Sequence, residues 1–378
     1  MAAGSRKRIL HVGKFFPPHR GGIESYLESL CCGLVDEFAV EVLVANDRPK
    51  SLQEDWQQVH IHRLASLGVL KSQPLTPGLP FLLRRTKADL VHLHYPNPGA
   101  LLSALFVPQN IPLVITHHSD IVNQQALARL FQPVDCRIYR RAAAVIASSP
   151  PYVESSPLLG QHRKKTTVVP FGITPLSASP ASEVEDIRQR YGKKLIVAVG
   201  RLVYYKGYQY AIEAMKEVDA QLLIIGTGPL ETKLREQIAR DNLEGRVQLL
   251  GHVEDITPYL SAADIFTMPS TARSEAFGIS QIEALSLGKP IVTTSLRSGV
   301  PWVAQGANLV VPPEDSPALA QAYTKLFKNP ELHAQLSAAA TKRYQDEFRR
   351  ETMIERTKEL YKKLLAGKGP HQSTELIS

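Results

Sequence analysis

Two short stretches hold residues whose types and spacing suit a ligand that carries both phosphate and hydroxyl groups. The first is Ser274-Glu-Ala-Phe-Gly-Ile-Ser-Gln-Ile-Glu283. Glu275 falls on a loop after an apolar run at 264–268. Glu283 falls in the second turn of a helix predicted over 279–287 and stopped by Gly288 and Pro290. Carboxylates accept hydrogen bonds from hydroxyls, and the open amides at a helix start hold an anion. Gly278 leaves room for a ligand to approach the backbone. The second stretch is Gly200-Arg-Leu-Val-Tyr-Tyr-Lys-Gly207, which follows an apolar run and precedes a helix. The fork of donors on Arg201 and the point charge of Lys206 can converge on adjacent phosphates. Each stretch alone has a plainer alternative: a solvated Glu with a capping Glu, and a pair of surface cations. Their places at strand ends favour a ligand.

A nucleotide sugar combines the two chemistries. Breaking its sugar–phosphate bond builds negative charge on the leaving diphosphate, and fixed cations can oppose that charge. No Asp-x-Asp pair is present for a divalent ion. Neither metal nor cofactor is expected. The central expectation is that the two cations and the two acids face each other across a gap between domains.

Residues placed so exactingly need rigid supports, and the apolar pattern supplies them. In the first half, strands are predicted at 8–12, 38–45, 59–64, 89–94, 112–116, 143–147 and 166–169, with a helix over 23–34. Short apolar strands alternating with helices imply a parallel sheet covered on both faces. A Pro/Ser/Ala-rich linker at 174–182 follows Pro170-Phe171-Gly172. In the second half, strands are predicted at 195–199, 220–225, 247–250, 264–268, 290–293 and 307–311. Helices are expected at 208–217, 230–240, 316–327 and 330–340. The α/β class follows, with two doubly wound Rossmann-like domains, 1–173 and 174–345. A charged helix at 346–366 crosses back to the first domain, and 367–378 forms a tail. Ligands in such sheets sit at the carboxyl ends of the strands.

The chain has 378 residues and is 44% hydrophobic, enough for two cores. Three cysteines, two of them adjacent, argue against a disulfide framework and for a reducing compartment. No run of 18 apolar residues suggests a membrane span. The net charge of +8 is uneven: residues 1–180 carry 19 Lys/Arg against 12 Asp/Glu. No nucleic-acid motif accompanies that charge, so nucleic acid is not the expected partner. An anionic membrane surface, an anionic lipid-linked substrate or simply a soluble basic surface accounts for it. Arg129, Arg137, Arg140 and Arg141, with Leu127, Leu130, Phe131 and Ile138, outline a basic amphipathic surface interrupted at Pro133. His92 and His94 share one strand face. A metal pair there lacks an apparent third ligand, and core histidines are the simpler reading. His60 and His62 read as exposed. Gly226-Thr-Gly-Pro229 lacks the third glycine of a dinucleotide fingerprint and reads as a tight turn near the nucleotide.

Taken together, Arg20-Gly-Gly-Ile-Glu24, Gly200-Arg-Leu-Val-Tyr-Tyr-Lys-Gly207, Gly226-Thr-Gly-Pro229 and Ser274-Glu-Ala-Phe-Gly278 with Glu283-Ala284 resemble the family-4 glycosyltransferases of the GT-B fold. The likeness covers nearly the whole chain and is nearest to bacterial rhamnosyl/mannosyltransferases. Supporting pieces are His11-Val-Gly-Lys-Phe-Phe-Pro-Pro-His-Arg20, His118-Ser-Asp-Ile121 and Gly299-Val-Pro-Trp302. The resemblance implies retaining transfer of a hexose, mannose-like, from a GDP- or UDP-sugar to a glycan or lipid-linked acceptor. It assigns Arg201 and Lys206 to the diphosphate, Glu275 to donor-sugar hydroxyls and Glu283 to the ribose. Gly21 and Gly22 would lie beside phosphate and sugar, and His118 would contact the transferred sugar, with Asp120 a weaker candidate. His252, Val253, Phe277, Gly278 and Ile279 complete the implied nucleotide-sugar contacts. The departing phosphate itself would take the acceptor proton. The expected setting is cytoplasmic, peripheral on the inner face of the plasma membrane. Thr174 stands where the family often has Asp, and Gly306-Ala-Asn-Leu-Val-Val-Pro-Pro313 lacks its Gly-rich turn. Rival readings are an epimerase or phosphorylase on the same fold and a non-catalytic nucleotide-binding subunit.

Overall fold

The computed structural model describes residues 6–19, 21–70, 73–120 and 125–367. Arg20, Ile121, most of the predicted tail and the side chains of Leu127, Arg129 and Leu130 lie outside the described residues. The chain forms two compact units, Met1–Phe171 with Arg350–Ser378, and Gly172–Arg349.

Among the described residues the first unit has ten strands: β1 Arg8–Val12, β2 Ala39–Ala45, β3 Leu52–Trp56, β4 Val59–Leu64, β5 Val69–Leu70, β6 Gln73–Pro74, β7 Leu90–Tyr95, β8 Leu113–His117, β9 Ala144–Ala147 and β10 Thr166–Val168. Eight of them make one sheet in the order β10-β9-β8-β7-β1-β2-β4-β3, and β5 and β6 pair separately. β1 is central because Ile9, Leu10, His11 and Val12 are all buried, as a strand covered on both faces must be. Every pairing in the large sheet is parallel except β3 with β4, which is antiparallel. That corrects the expectation of a wholly parallel sheet. β3 reads Leu-Gln-Glu-Asp-Trp and is almost entirely exposed, so it has no apolar period to reveal it. The helix Gly22–Leu34 packs on the helix Arg350–Leu365 within this unit. Gly33 makes the close approach: a Cβ there would lie 2.1 Å from Ile354 Cδ1. Arg350 donates to the Ser29 hydroxyl at 3.0 Å and to its carbonyl at 2.9 Å.

The second unit carries β11 Leu195–Val199, β12 Gln221–Ile225, β13 Val247–Gly251, β14 Ile265–Met268, β15 Ile291–Thr294 and β16 Asn308–Val311. Their order, β13-β12-β11-β14-β15-β16, is all parallel and reverses direction between β11 and β14. The core holds Ile196, Leu222, Ile224, Ile265 and Val292 from the sheet against Ala211, Ile212 and Tyr323 from helices and Met215 at a helix end. Each such aliphatic burial stabilises by about 1.5–3 kcal/mol. The helix Ala181–Tyr191 takes over the last residues of the predicted linker. The charged stretch predicted as one helix is split. Pro330–Glu347 ends before Phe348, which is fully buried against Phe277 and Trp302, and Arg350–Leu365 starts anew.

Candidate functional site

In an open parallel sheet, the crevice beside the strand-order reversal is where ligands bind. In the second unit the loops that flank it are those after β11 and β14. These are the loops that carry Arg201, Lys206 and Glu275. They are tied together by backbone contacts. The Thr271 amide donates to the Tyr205 carbonyl at 2.8 Å, and Ser280 Oγ donates to the Val199 carbonyl at 3.2 Å. Gly207 adopts φ 69°, and a Cβ there would lie 1.9 Å from the Pro269 carbonyl oxygen, so no other residue fits this crossing.

Lys206 Nζ sits 2.8 Å from Glu275 Oε2, and both side chains are only 11% exposed. Burial pulls the Lys206 ammonium pKa down. The Glu275 carboxylate beside it, with the Tyr208 and Tyr205 phenols, pulls harder, and the net shift is upward. The Tyr208 phenol is itself pushed up to about 12, first by burial. Gly200 makes room for this group: a Cβ there would stand 2.9 Å from the Tyr208 hydroxyl and 3.0 Å from Lys206 Nζ. Arg201 is exposed on the same loop, and its charge acts on Tyr205 together with those of Lys206 and Glu275. The expectation that cations and acids face each other across an interdomain gap is corrected: all four belong to the Gly172–Arg349 unit.

The helix Ile279–Ser286 opens beside the pair. Gln281 locks its start by donating to the Phe277 and Val300 carbonyls, each at 3.2 Å. Gly278 is left-handed, φ 83°, and a Cβ on it would meet Met268 Sδ at 2.6 Å. Its need for glycine is therefore backbone conformation and packing, not room for a ligand. Glu283 is partly exposed as a residue, yet burial of its carboxyl raises the pKa to about 7. Phe277 is buried against Trp302 and Phe348, so only its main chain can serve a ligand. His252 is exposed and Val253 half-buried after β13. Among the described residues no hydrogen bond or ion pair joins them to Lys206 or Glu275. Gly226-Thr-Gly228 is a buttress: the Leu202 amide donates to the Thr227 carbonyl at 3.0 Å, and a Cβ on Gly228 would meet Leu202 Oat 2.5 Å.

The remaining expected residues lie in the first unit. Gly21 precedes and Gly22 opens the helix Gly22–Leu34 after the β1 loop. His118 follows β8 and is buried, with Nε2 3.1 Å from His94 Nδ1 and an Nδ1 atom that has no partner among the described residues. Asp120 is engaged elsewhere, accepting from Ser156 at 2.7 Å and lying 3.2 Å from His117 Nε2. His92 and His94 do gain a third histidine, His11 of β1, through the register that sets His11 opposite His92. His60 and His62 are half-buried rather than exposed, and His60 pairs with Asp55.

Sequence reasoning passed over Tyr205, Tyr208 and Ser274. Tyr205 and Tyr208 flank Lys206 in the run Tyr-Tyr-Lys-Gly-Tyr, which is the signal that could have found them. Ser274, next to Glu275, has a buried hydroxyl without a partner among the described residues.

Comparison with known proteins gives matching family models for both halves. Residues 182–343 match the glycosyl transferases group 1, and residues 20–175 match glycosyltransferase family 4. A D-rhamnosyltransferase, WbpZ, of Pseudomonas aeruginosa is 32% identical over 90% of this chain and 92% of its own. An O-antigen chain mannosyltransferase of Escherichia coli is 30% identical over 96% of this chain and 100% of its own. Among solved structures, Anabaena HepE in complex with UDP and glucose superposes with a TM-score of 0.78, at 20% identity, over 94% of this chain and 100% of that one.

Proposed function

Because the chain belongs to the family-4 glycosyltransferases, of the GT-B fold, we propose that it transfers a hexose from a nucleoside-diphosphate sugar to a glycan or lipid-linked acceptor, with retention and without a divalent ion. The buried Lys206–Glu275 pair at the strand-order reversal carries this reading. Lys206 bridges the two halves of a donor. Its charge serves the diphosphate, while it holds one oxygen of Glu275 and leaves the second as an acceptor for sugar hydroxyls. Arg201 extends the cationic surface outward, and Glu283 accepts from the ribose. Gly21 and Gly22 offer amides, and His118 contacts the transferred sugar. Asp120, bonded to His117 and Ser156, is a support and not a contact.

The bond between the anomeric carbon and the diphosphate oxygen breaks, and its electron pair leaves with the diphosphate. The acceptor oxygen attacks the same face and gives its proton to the departing phosphate oxygen. Lys206 and Arg201 oppose the charge that develops there, which is where preorganised charge lowers a barrier most. A mannose-like sugar and a role in cell-surface polysaccharide assembly are favoured by the named activities of the P. aeruginosa and E. coli relatives. UDP in the Anabaena structure supports a nucleoside-diphosphate donor and leaves GDP and UDP both to be tested.

The test is a thermal-shift screen of GDP- and UDP-hexoses, followed by transfer assays in EDTA. A saturating donor at a hundred times its Kd should stabilise by about 2.7 kcal/mol. Transfer should persist in EDTA. Loss of activity restored by Mg²⁺ would contradict metal independence, and conversion of the donor with no acceptor present would point to an epimerase.

A cytoplasmic location on the inner membrane face rests on one surface of the first unit. No helix among the described residues is long and apolar enough to cross a membrane. Phe81 and Leu82 of the helix Leu79–Arg84, Leu102 of Pro98–Ala104 and nearby Phe106 are exposed, beside exposed Arg84 and Arg85. The helix Gln125–Arg141, continuous through Pro133 and not interrupted there, adds exposed Arg137 and Arg140. Arg141 is not part of that surface, because it donates to the Ala104 and Pro108 carbonyls. Nor is Ile138, which is fully buried. Exposed apolar side chains and arginines on three helices that pack in series suit an anionic bilayer. Sedimentation with anionic liposomes should be lost at high salt and weakened in Phe81→Asp/Phe106→Asp. Failure to sediment at low salt would remove the claim.

A further inference from the structure

Four histidines and a tyrosine, five residues from four separate segments, are buried together inside the first unit. They are His11 on β1, His92 and His94 on β7, His118 after β8, and Tyr361 on the helix Arg350–Leu365. Stacked β7 neighbours would explain His92 and His94 alone. They do not explain the continuous row of hydrogen-bonding atoms that runs through all five. His118 Nε2 lies 3.1 Å from His94 Nδ1, and His94 Nε2 lies 3.1 Å from His11 Nδ1. His11 Nε2 lies 3.5 Å from the Tyr361 hydroxyl, which in turn is 2.5 Å from His92 Nδ1. His92 Nε2 ends the row 2.7 Å from Thr116 Oγ1.

We propose that His94, His11 and Tyr361 are positioning residues that fix the ring proton of His118 on Nε2, so that Nδ1 meets the substrate as a bare hydrogen-bond acceptor. The reasoning is a proton count. A neutral imidazole has one N–H and one acceptor nitrogen. Three rings joined by two ring–ring bonds have three protons, two of which lie in those bonds. The third must sit at one end, on His118 Nδ1 or on His11 Nε2. Tyr361 decides which. With the His92 ring proton on Nε2, donated to Thr116 Oγ1, His92 Nδ1 is an acceptor, and the single phenol proton goes to it as the nearer nitrogen. His11 Nε2 then faces a phenol oxygen that can only accept, so it keeps the third proton. The polarity passes through His94, and His118 Nδ1 is left with a lone pair.

Burial keeps the rings neutral. It lowers His11 and His118 to about 3 and holds His94 and His92 well below the usual histidine range. His118 Nδ1 is itself buried and has no partner among the described residues, as an acceptor reserved for a substrate hydroxyl would be. The row is also poorly arranged for a cation. His11, His92 and His94 offer nitrogens within 4.8 Å of one another, but the His11 and His94 nitrogens that approach are bonded to each other, and the rings are stacked at 24° and 29°.

The inference rests on His118 contacting the transferred sugar, and the experiment separates the two claims. Long-range ¹H–¹⁵N spectra of the whole protein read the ring nitrogens directly. Wild-type His118 should show a protonated Nε2 and an unprotonated Nδ1. His11→Phe, which ends the row at His94, and Tyr361→Phe, which removes the deciding phenol while keeping its ring, should each give mixed tautomers at His118. In both, kcat should fall about tenfold, the loss of roughly one hydrogen bond, with the donor KM unchanged. His11→Asn, whose amide oxygen replaces the Nδ1 acceptor, should restore the single tautomer and most of kcat. A protonated Nδ1 in the wild type, an unchanged tautomer in both broken variants, or a stoichiometric divalent metal in the purified protein overturns the proposal. His118→Ala tests the sugar contact separately: wild-type turnover there removes the contact, while the spectra still decide the row.

Discussion

Lys206→Ala is expected to lower kcat by about a hundredfold or more, the cost of removing a preorganised charge that faces a developing anion. The variant should also unfold more easily, by about 3–5 kcal/mol, because Glu275 keeps its buried place with no cation beside it. Glu275→Gln is the cleaner partner experiment. It keeps the shape and removes the charge, and Lys206 retains an amide oxygen to donate to. Its kcat should fall by a similar factor with little change in nucleotide affinity, since the carboxylate serves the sugar and not the base. The double variant should lose less than the sum of the two, because residues in direct contact are coupled. Charge on Lys206 is secure across any assay range. Its net upward shift means that the pair's stabilisation is present below the ordinary lysine range and is lost only as pH rises through the raised value. Steady-state kinetics on the three variants decide the matter. Transfer near the wild-type rate in both single variants would show that the site is misassigned.

Glu283→Gln should stabilise the free enzyme, and the gain should depend on pH. The Glu283 carboxyl has its pKa raised by burial from 4.5 to about 7. Between those values the folded chain holds a proton that the unfolded chain has released, so stability falls as pH rises through that window. Above it the penalty is constant, at most about 3 kcal/mol. The amide has no charge to bury, so its melting temperature should exceed the wild type at about pH 8 and match it near pH 4. Nucleotide binding should follow the opposite course. Ribose hydroxyls donate best to the ionised carboxylate, so affinity should rise about tenfold from about pH 6 to about pH 8, with a proton released. Titration calorimetry in two buffers of different ionisation enthalpy measures that proton. An identical pH profile in wild type and Glu283→Gln would remove Glu283 from the ribose.

The parts of this design that could be read from the chain alone are those written in its apolar period and its glycines. β1 and β11 were predicted at their observed bounds because Ile9-Leu-His-Val12 and Leu195-Ile-Val-Ala198 are buried on both faces and carry no competing pattern. The loops after β11 and β14 were also legible, since glycines and charged residues stand just where the strands stop. β3 was not, because it is an exposed, polar edge. The place where the last two helices divide was not: it falls at Phe348 and not before Asp346, because Phe348 interrupts a helical pattern by its packing against Phe277 and Trp302, a tertiary fact. The reason for Gly278 was misread for the same cause: Met268 fills the space a Cβ would take. The histidine row was hidden most deeply. His11, His94, His118 and Tyr361 are up to 350 residues apart in sequence, and only sheet register and the returning C-terminal helix bring them together.

The central claim is that the loops after β11 and β14 together hold the diphosphate and sugar of the donor. Amide hydrogen exchange with and without a saturating nucleoside-diphosphate sugar reads this most directly. Exchange should slow at 200–207 and 274–283 above all, and that protection should be lost in Lys206→Ala. Binding that protects other segments and leaves both loops unchanged would contradict the account.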